Sequence, residues 1–303
     1  MRIGLDQLVD PRLLPLVAET RAFYAQRGPR RGPGSWAELQ AVRAALPPAV
    51  PANPPAVSEV VGVGDRSVRV RVHEPAGPAA GVLLQVHGGG FTLGTAAAAD
   101  VRDRELADAL GVAVVSVDHR LAPEHPWPAA PDDCETAARW LAAHARARFG
   151  TTQLALAGTS AGATLVVTTL LRLRDRGVAA FGSAVLQFGT YDLSGQTPAG
   201  RLIADEWFLE AYAGAAPDRT HPDLSPVFAD LAGLPPVLVV VGADDVLLTD
   251  NLAMAARLSA AGVDVDLRVY PGAPHGFTGH PTPMARAARA DLETWLRAHL
   301  PAS

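Results

Sequence analysis

Five short, almost uninterrupted apolar runs recur along the chain, at 82–86, 112–117, 154–157, 184–188 and 237–241. Each has the length of a strand, and none shows a polar face. Strands read this way when helices cover both faces of a parallel sheet. The stretches between them, 100–110, 132–149, 161–175 and 250–261, are patterned as helices. Residues 263–270 and 284–300 add a last strand and a closing helix. Such alternation predicts an α/β fold, with a mostly parallel, twisted central sheet and helices on both faces. Upstream, Val68, Val70 and Val72 alternate with Arg69, Arg71 and His73, which predicts a strand with one polar face.

The first 55 residues read differently. Leu8, Leu13, Leu14, Leu16, Val17 and Phe23 fall at helical spacing within residues 5–28, where Pro15 must kink or split the helix. Trp36, Leu39, Val42 and Leu46 predict a second short helix, and five prolines between 47 and 55 break the pattern. This divides an N-terminal helical segment, 1–55, from a larger unit, 56–303. Inside that unit, residues 193–235 form a connection too long for a compact domain unless it serves as a lid or binding segment. Its one helical stretch, Asp205–Tyr212, carries Trp207, Phe208 and Tyr212, the densest aromatic cluster in the chain.

Composition removes several classes of function. The 26 basic residues, all Arg, are outnumbered by 31 acidic ones, so no basic surplus is present to hold a phosphate backbone and nucleic acid is not expected as a partner. The longest aliphatic run, Val237–Val241, is far too short to span a bilayer. A lone cysteine, Cys134, excludes an intrachain disulfide and a multi-cysteine metal site. Residues 1–20 hold no apolar block of the secretory kind. These features together predict a soluble, cytoplasmic protein.

The chemistry centres on Gly158-Thr159-Ser160-Ala161-Gly162. This G-x-S-x-G string follows an apolar strand and precedes a helix, a context that forces Ser160 onto a tight turn and lifts its hydroxyl clear of the sheet. A serine hydroxyl needs a base. His275, in a Gly/Pro loop after the last predicted strand, stands where catalytic groups gather in α/β folds. The acid should fall between serine and histidine in chain order, at Asp244 or Asp245 just beyond the 237–241 run. Asp250 reads as an N-cap of the following helix.

His87-Gly88-Gly89-Gly90-Phe91 directly follows the 82–86 run. Nine histidines and 28 glycines in 303 residues give about 0.007 chance occurrences of such a string. Its glycines allow backbone amides to turn toward a developing oxyanion. His87 reads as a structural residue that fixes the loop. His119 and His125 lack the carboxylate or histidine spacing of a metal site, so no metal is expected. Cys134 reads as a small buried residue.

With these motifs in view, the chain resembles the hormone-sensitive-lipase-like esterases, bacterial family IV of the α/β-hydrolase superfamily. The resemblance covers most of residues 58–300. It rests on 87–91, on the stretch from Asp118-His119-Arg120 to Ala130, on 158–162, on Asp245-Val246-Leu247 and on His275-Gly276-Phe277. It implies Ser160 as nucleophile, Asp245 as triad acid and His275 as base. It also implies an oxyanion hole made by the amides of Gly88, Gly89 and Ala161. The N-terminal helices and 193–221 would form a cap, with Phe91, Trp207, Phe208 and Tyr212 as pocket residues. The last edge strand and closing helix would offer a homodimer contact. Two positions depart from the pattern: Thr159 stands where Asp is usual, as in a GTSAG subgroup, and His119 replaces a Tyr.

The expected function is a cofactor-free serine carboxylesterase acting on short- to medium-chain acyl esters through an acyl-enzyme. The same triad could hydrolyse an amide, carbamate or lactone. A non-catalytic ligand receptor on this fold usually loses the serine or the histidine, and this chain keeps both.

Overall fold

Val237 and Val239 join the apolar core on one side of the central sheet, and Leu238 and Val240 join a second core on the other. Both sides are buried, and this explains the missing polar face in the sequence. The computed structural model describes residues 4–27 and 32–300. Its strands are β1 (Val57–Val63), β2 (Arg66–His73), β3 (Val82–Val86), β4 (Ala113–Val117), β5 (Leu154–Thr159), β6 (Phe181–Gln187), β7 (Val237–Gly242) and β8 (Val265–Tyr270). They form one sheet in the order β1-β2-β4-β3-β5-β6-β7-β8. The β1–β2 and β2–β4 pairs are antiparallel and all others parallel.

Eight α-helices accompany the sheet among the described residues: α1 (Val17–Ala25), α2 (Trp36–Ala45), α3 (Asp100–Leu110), α4 (Ala129–Phe149), α5 (Ala161–Asp175), α6 (Trp207–Ala213), α7 (Leu248–Ala260) and α8 (Pro283–His299). Helices α4, α5 and α7 close one face over Leu84, Val86, Val115 and Leu156. Helices α3 and α8 close the other over Leu83, Val114, Ala155 and Val185. A residue pair such as Leu83 and Leu84 thus feeds two different cores, as the two-residue period of a strand requires.

The N-terminal segment bears out the split at Pro15. A 3-10 turn, Pro11–Leu16, contains that proline, and α-helix begins at Val17. Gly28, the end of the predicted helical span, lies outside the described residues. Val9 forms a parallel bridge with Val269, so this segment covers one end of the β8 edge.

One element escaped the sequence, and one expectation needs correction. Strand β1 was not anticipated; Val57 and Val60 are exposed and only Val61 is buried, so the run lacks a sustained apolar face. Asp250 is not an N-cap. Leu247 holds that position, and Asp250 lies inside the first turn of α7, buried, accepting the Tyr191 amide at 2.6 Å. A carboxylate that caps a neighbouring loop leaves the same sequence signal as one that caps its own helix.

No described helix is long and apolar enough to cross a membrane.

Candidate active site

Ser160 occupies the single residue between β5 and α5, with φ 53° and ψ −123°. A non-glycine residue rarely adopts positive φ, and here the geometry aims the side chain out of the turn. Its own amide is tied to Gln187 O on β6 at 2.8 Å. The turn closes only because Gly162 has no side chain: a Cβ there would collide with the Val86 and His87 carbonyl groups. Sequence therefore dictates a bare glycine two residues beyond the serine, where α5 passes the end of β3.

The loop after β8 brings His275 to the same place. Its Nε2 lies 2.9 Å from Ser160 Oγ. The Phe188 ring and the imidazole meet with centroids 5.2 Å apart and planes at 75°, a T-shaped contact that holds the imidazole plane. The loop can approach β7 because Gly242 lacks a Cβ, which would overlap Ala273 O. Asp244 N then donates to Ala273 O at 3.1 Å, pinning the two loops together.

Asp245 completes the row. Both its carboxylate oxygens stand 3.1 Å from His275 Nδ1, and Oδ1 also accepts the Leu247 amide at 2.8 Å. The Asp245 side chain is fully buried. Asp244 faces elsewhere, toward Arg21 at 3.4 Å on the surface. Of the two adjacent carboxylates, Asp245 is the one that contacts His275.

The glycine loop after β3 lines the space in front of Ser160. Gly88, Gly89 and Gly90 all border a cavity of about 530 Å³, together with Thr159, Ser160 and His275. Among the described residues the amides of Gly88, Gly89 and Ala161 donate to no other group of the chain. Ala161 is the first residue of α5, where the helix leaves its amides unpaired and its dipole favours negative charge. Behind the loop, the His87 and His119 rings stack with centroids 4.1 Å apart. Burial, with the neighbouring His119, lowers the His87 pKa to about 3, so this imidazole stays neutral. His119, the position that departs from the family's Tyr, supplies the stacking partner.

Of the four aromatic residues expected to form the pocket, Phe208 alone lines the cavity. Phe91 and Tyr212 are buried behind it and stack on each other at 3.9 Å. Trp207 does not border the cavity. Helix α6 turns one face inward, and only one of its three aromatic side chains reaches the opening. Lining residues that the sequence did not single out include Ile203 and Glu206 from the 193–221 segment, Gly32 from the N-terminal segment, and Arg102, Thr190 and Thr278 from the body of the fold. Membership of the long 193–235 connection was the one available signal for Ile203 and Glu206; nothing marked the others. No cluster of three or more metal-ligating side chains exists among the described residues.

Comparisons with known proteins agree with this architecture. A family model described as the alpha/beta hydrolase fold matches residues 83–279. The carboxylic ester hydrolase LipN of Mycobacterium tuberculosis is 35% identical over 253 residues, 77% of this chain and 67% of that protein. An ethyl acetate hydrolase of Pseudomonas putida is 35% identical over 211 residues, 66% of each chain. The chain thus spans about two thirds of the length of these curated relatives. Among solved structures, a hyperthermophilic esterase from Pyrobaculum calidifontis superimposes with a TM-score of 0.79 at 28% identity, covering 96% of this chain and 98% of that one. A thermostable esterase from Pseudomonas putida ECU1011 gives 0.80 at 27% identity, with 94% and 98% covered. The chain belongs to the α/β-hydrolase fold family, in its hormone-sensitive-lipase-like esterase branch.

Proposed function

We propose that the protein is a serine carboxylesterase in which Ser160 is the nucleophile, His275 the general base and Asp245 the acid that orients it. The observation that carries this reading is the unbroken row from Ser160 Oγ through His275 to Asp245, with links of 2.9 and 3.1 Å. Serine transfers its proton to Nε2 as Oγ attacks the ester carbonyl. Asp245 fixes the tautomer with the proton on Nδ1 and stabilises the imidazolium that forms. The amides of Gly88, Gly89 and Ala161 receive the oxyanion, and each such donor is worth about 3 kcal/mol of barrier. His275 then protonates the leaving alcohol, and water enters by the same route to release the acid.

The N-terminal helices and 193–221 act as the cap. A cavity near 530 Å³, roofed by Ile203 and Phe208, suits short to medium acyl chains. The substrate is a small acyl ester and the working compartment the cytoplasm. Homodimerisation through β8 would use the part of its edge that Val9 leaves open.

Ser160→Ala tests the reading. The variant is expected to fold normally and to lose hydrolysis of 4-nitrophenyl butyrate. Retained turnover by the purified variant overturns it.

A further inference from the structure

Arg102 stands in the wall between two cavities. It borders the large one that contains Ser160 and His275, and a small one of about 50 Å³ beneath it. Arg102 is half-buried there, and a guanidinium so placed normally finds a carboxylate, since withdrawing a charge from water without a partner is costly. Arg102 finds none: among the described residues it makes no ion pair within 4.0 Å. Its one hydrogen bond is long, from Nη2 to Gln187 Oε1 at 3.4 Å. Gln187 Oε1 is already engaged by Thr278 Oγ1 at 3.0 Å, and Thr278 also borders the large cavity.

The surroundings compensate the cation only in part: Asp103 and, more weakly, Glu105 attract it without forming an ion pair. Arg102 lies in the first turn of α3, where the helix dipole opposes positive charge. Arg289 approaches from α8 and adds repulsion. Asp103, Glu105 and Glu293 border the small cavity but do not pair with Arg102. Asp103 is instead hydrogen-bonded by Ser116. Burial lowers the Arg102 pKa from the ordinary guanidinium value, the mark of a cation held at a cost. Among the described residues lining the large cavity the one acidic side chain is Glu206, beside Gly32 and unpaired with Arg102. Most of the remaining lining is apolar or glycine.

We propose that Arg102 is a specificity-determining cation that seats a carboxylate carried by the ester substrate, such as a dicarboxylic acid hemiester. This rests on the esterase reading above. The planar guanidinium offers a paired set of donors that match a carboxylate, and the displaced Gln187 contact is weak. The carboxylate can sit on either side of the scissile bond.

The test therefore has two arms. For the acyl side, 4-nitrophenyl hydrogen glutarate is compared with the ester in which a primary amide replaces the free carboxylate. For the alcohol side, 3-(butanoyloxy)propanoate is compared with 3-(butanoyloxy)propanamide by pH-stat. The wild-type enzyme is expected to favour the charged member of one pair by roughly tenfold in kcat/KM. Arg102→Gln should abolish that preference and Arg102→Lys keep part of it. Because each comparison is a ratio within one protein, a general loss of activity or folding cancels. Absence of preference in both arms with the wild-type enzyme, or a preference that survives Arg102→Gln, overturns the proposal. Hydrolysis of 4-nitrophenyl butyrate by the same preparation separates the outcomes. If it proceeds without any charge preference, the anion site alone falls. If no ester is hydrolysed, the esterase reading falls and the anion site with it.

Discussion

Asp245 presents both carboxylate oxygens to His275 Nδ1 at 3.1 Å, from a side chain with no solvent exposure. Its neighbour Asp244 is partly exposed and meets Arg21 instead. The two adjacent acids should therefore respond differently to the same change. Asp245→Asn is expected to lower kcat by roughly 10³–10⁴-fold, because an amide no longer selects the productive imidazole tautomer. Asp244→Asn should leave kcat close to the wild-type value. Steady-state kinetics on both variants checks the pair, and equal losses would argue against the assignment.

Gly162 is the packing constraint beneath Ser160. Gly162→Ala would drive a methyl group into the Val86 and His87 carbonyls, so α5 must shift away from β3. The expected outcome is a stability loss on the order of 3 kcal/mol together with near-complete loss of ester hydrolysis. Thermal unfolding and activity measured on one preparation report both effects.

Asp250 makes stability depend on pH in an unusual sense. Burial raises its pKa from 3.8 to about 6, and among the described residues no hydrogen bond within 3.5 Å reaches its buried Oδ1. Between about pH 4 and 6 the native state holds a proton that the unfolded chain has released. Stability from this group is therefore greatest below pH 4 and falls as pH rises to 6, with a cost of about 3 kcal/mol above that. His87 opposes this, since its lowered pKa makes the native state bind fewer protons than the unfolded chain below pH 6.5. The difference between wild type and Asp250→Asn isolates the carboxylate. The amide can still accept the Tyr191 N–H, so the variant should gain stability relative to wild type as pH rises from 4 to 7. Urea unfolding at several pH values measures the difference.

Arg172 on α5 joins the 193–235 connection to the body of the fold. It reaches Asp223 through two hydrogen bonds of 2.6 Å, and Asp223 also accepts Trp127 Nε1 at 2.8 Å. Arg172→Ala leaves Asp223 without its cation and should cost about 3 kcal/mol. Limited proteolysis should cut sooner within residues 193–221.

Phe208 borders the cavity and packs near Gly90. Phe208→Ala should shift preference toward longer acyl chains, by roughly tenfold in the kcat/KM ratio of octanoate to butyrate esters. An unchanged acyl-length profile would mean that the cap does not bound the acyl group.

Much of this molecule can be read from its residues, for identifiable reasons. Buried strands such as Val237–Val241 announce themselves because both faces are covered, and the turn at Ser160 because only glycine tolerates the approach of neighbouring backbone. Strand β1 was hidden by its exposed edge position, where Val57 and Val60 face solvent. The pocket was legible only as a region. Trp207, Phe208 and Tyr212 share one helix, yet its orientation admits Phe208 alone, and orientation is set by tertiary packing. Arg102 gave no local signal, since its place between two cavities follows from where α3 crosses the sheet.

The central claim is that Ser160 is made nucleophilic by His275. Intact-mass analysis after treatment with a fluorophosphonate tests it most directly. One adduct per chain is expected, mapping to Ser160 and absent from both Ser160→Ala and His275→Ala. An unlabelled wild-type protein, or an adduct that persists when Ser160 is replaced, would contradict it.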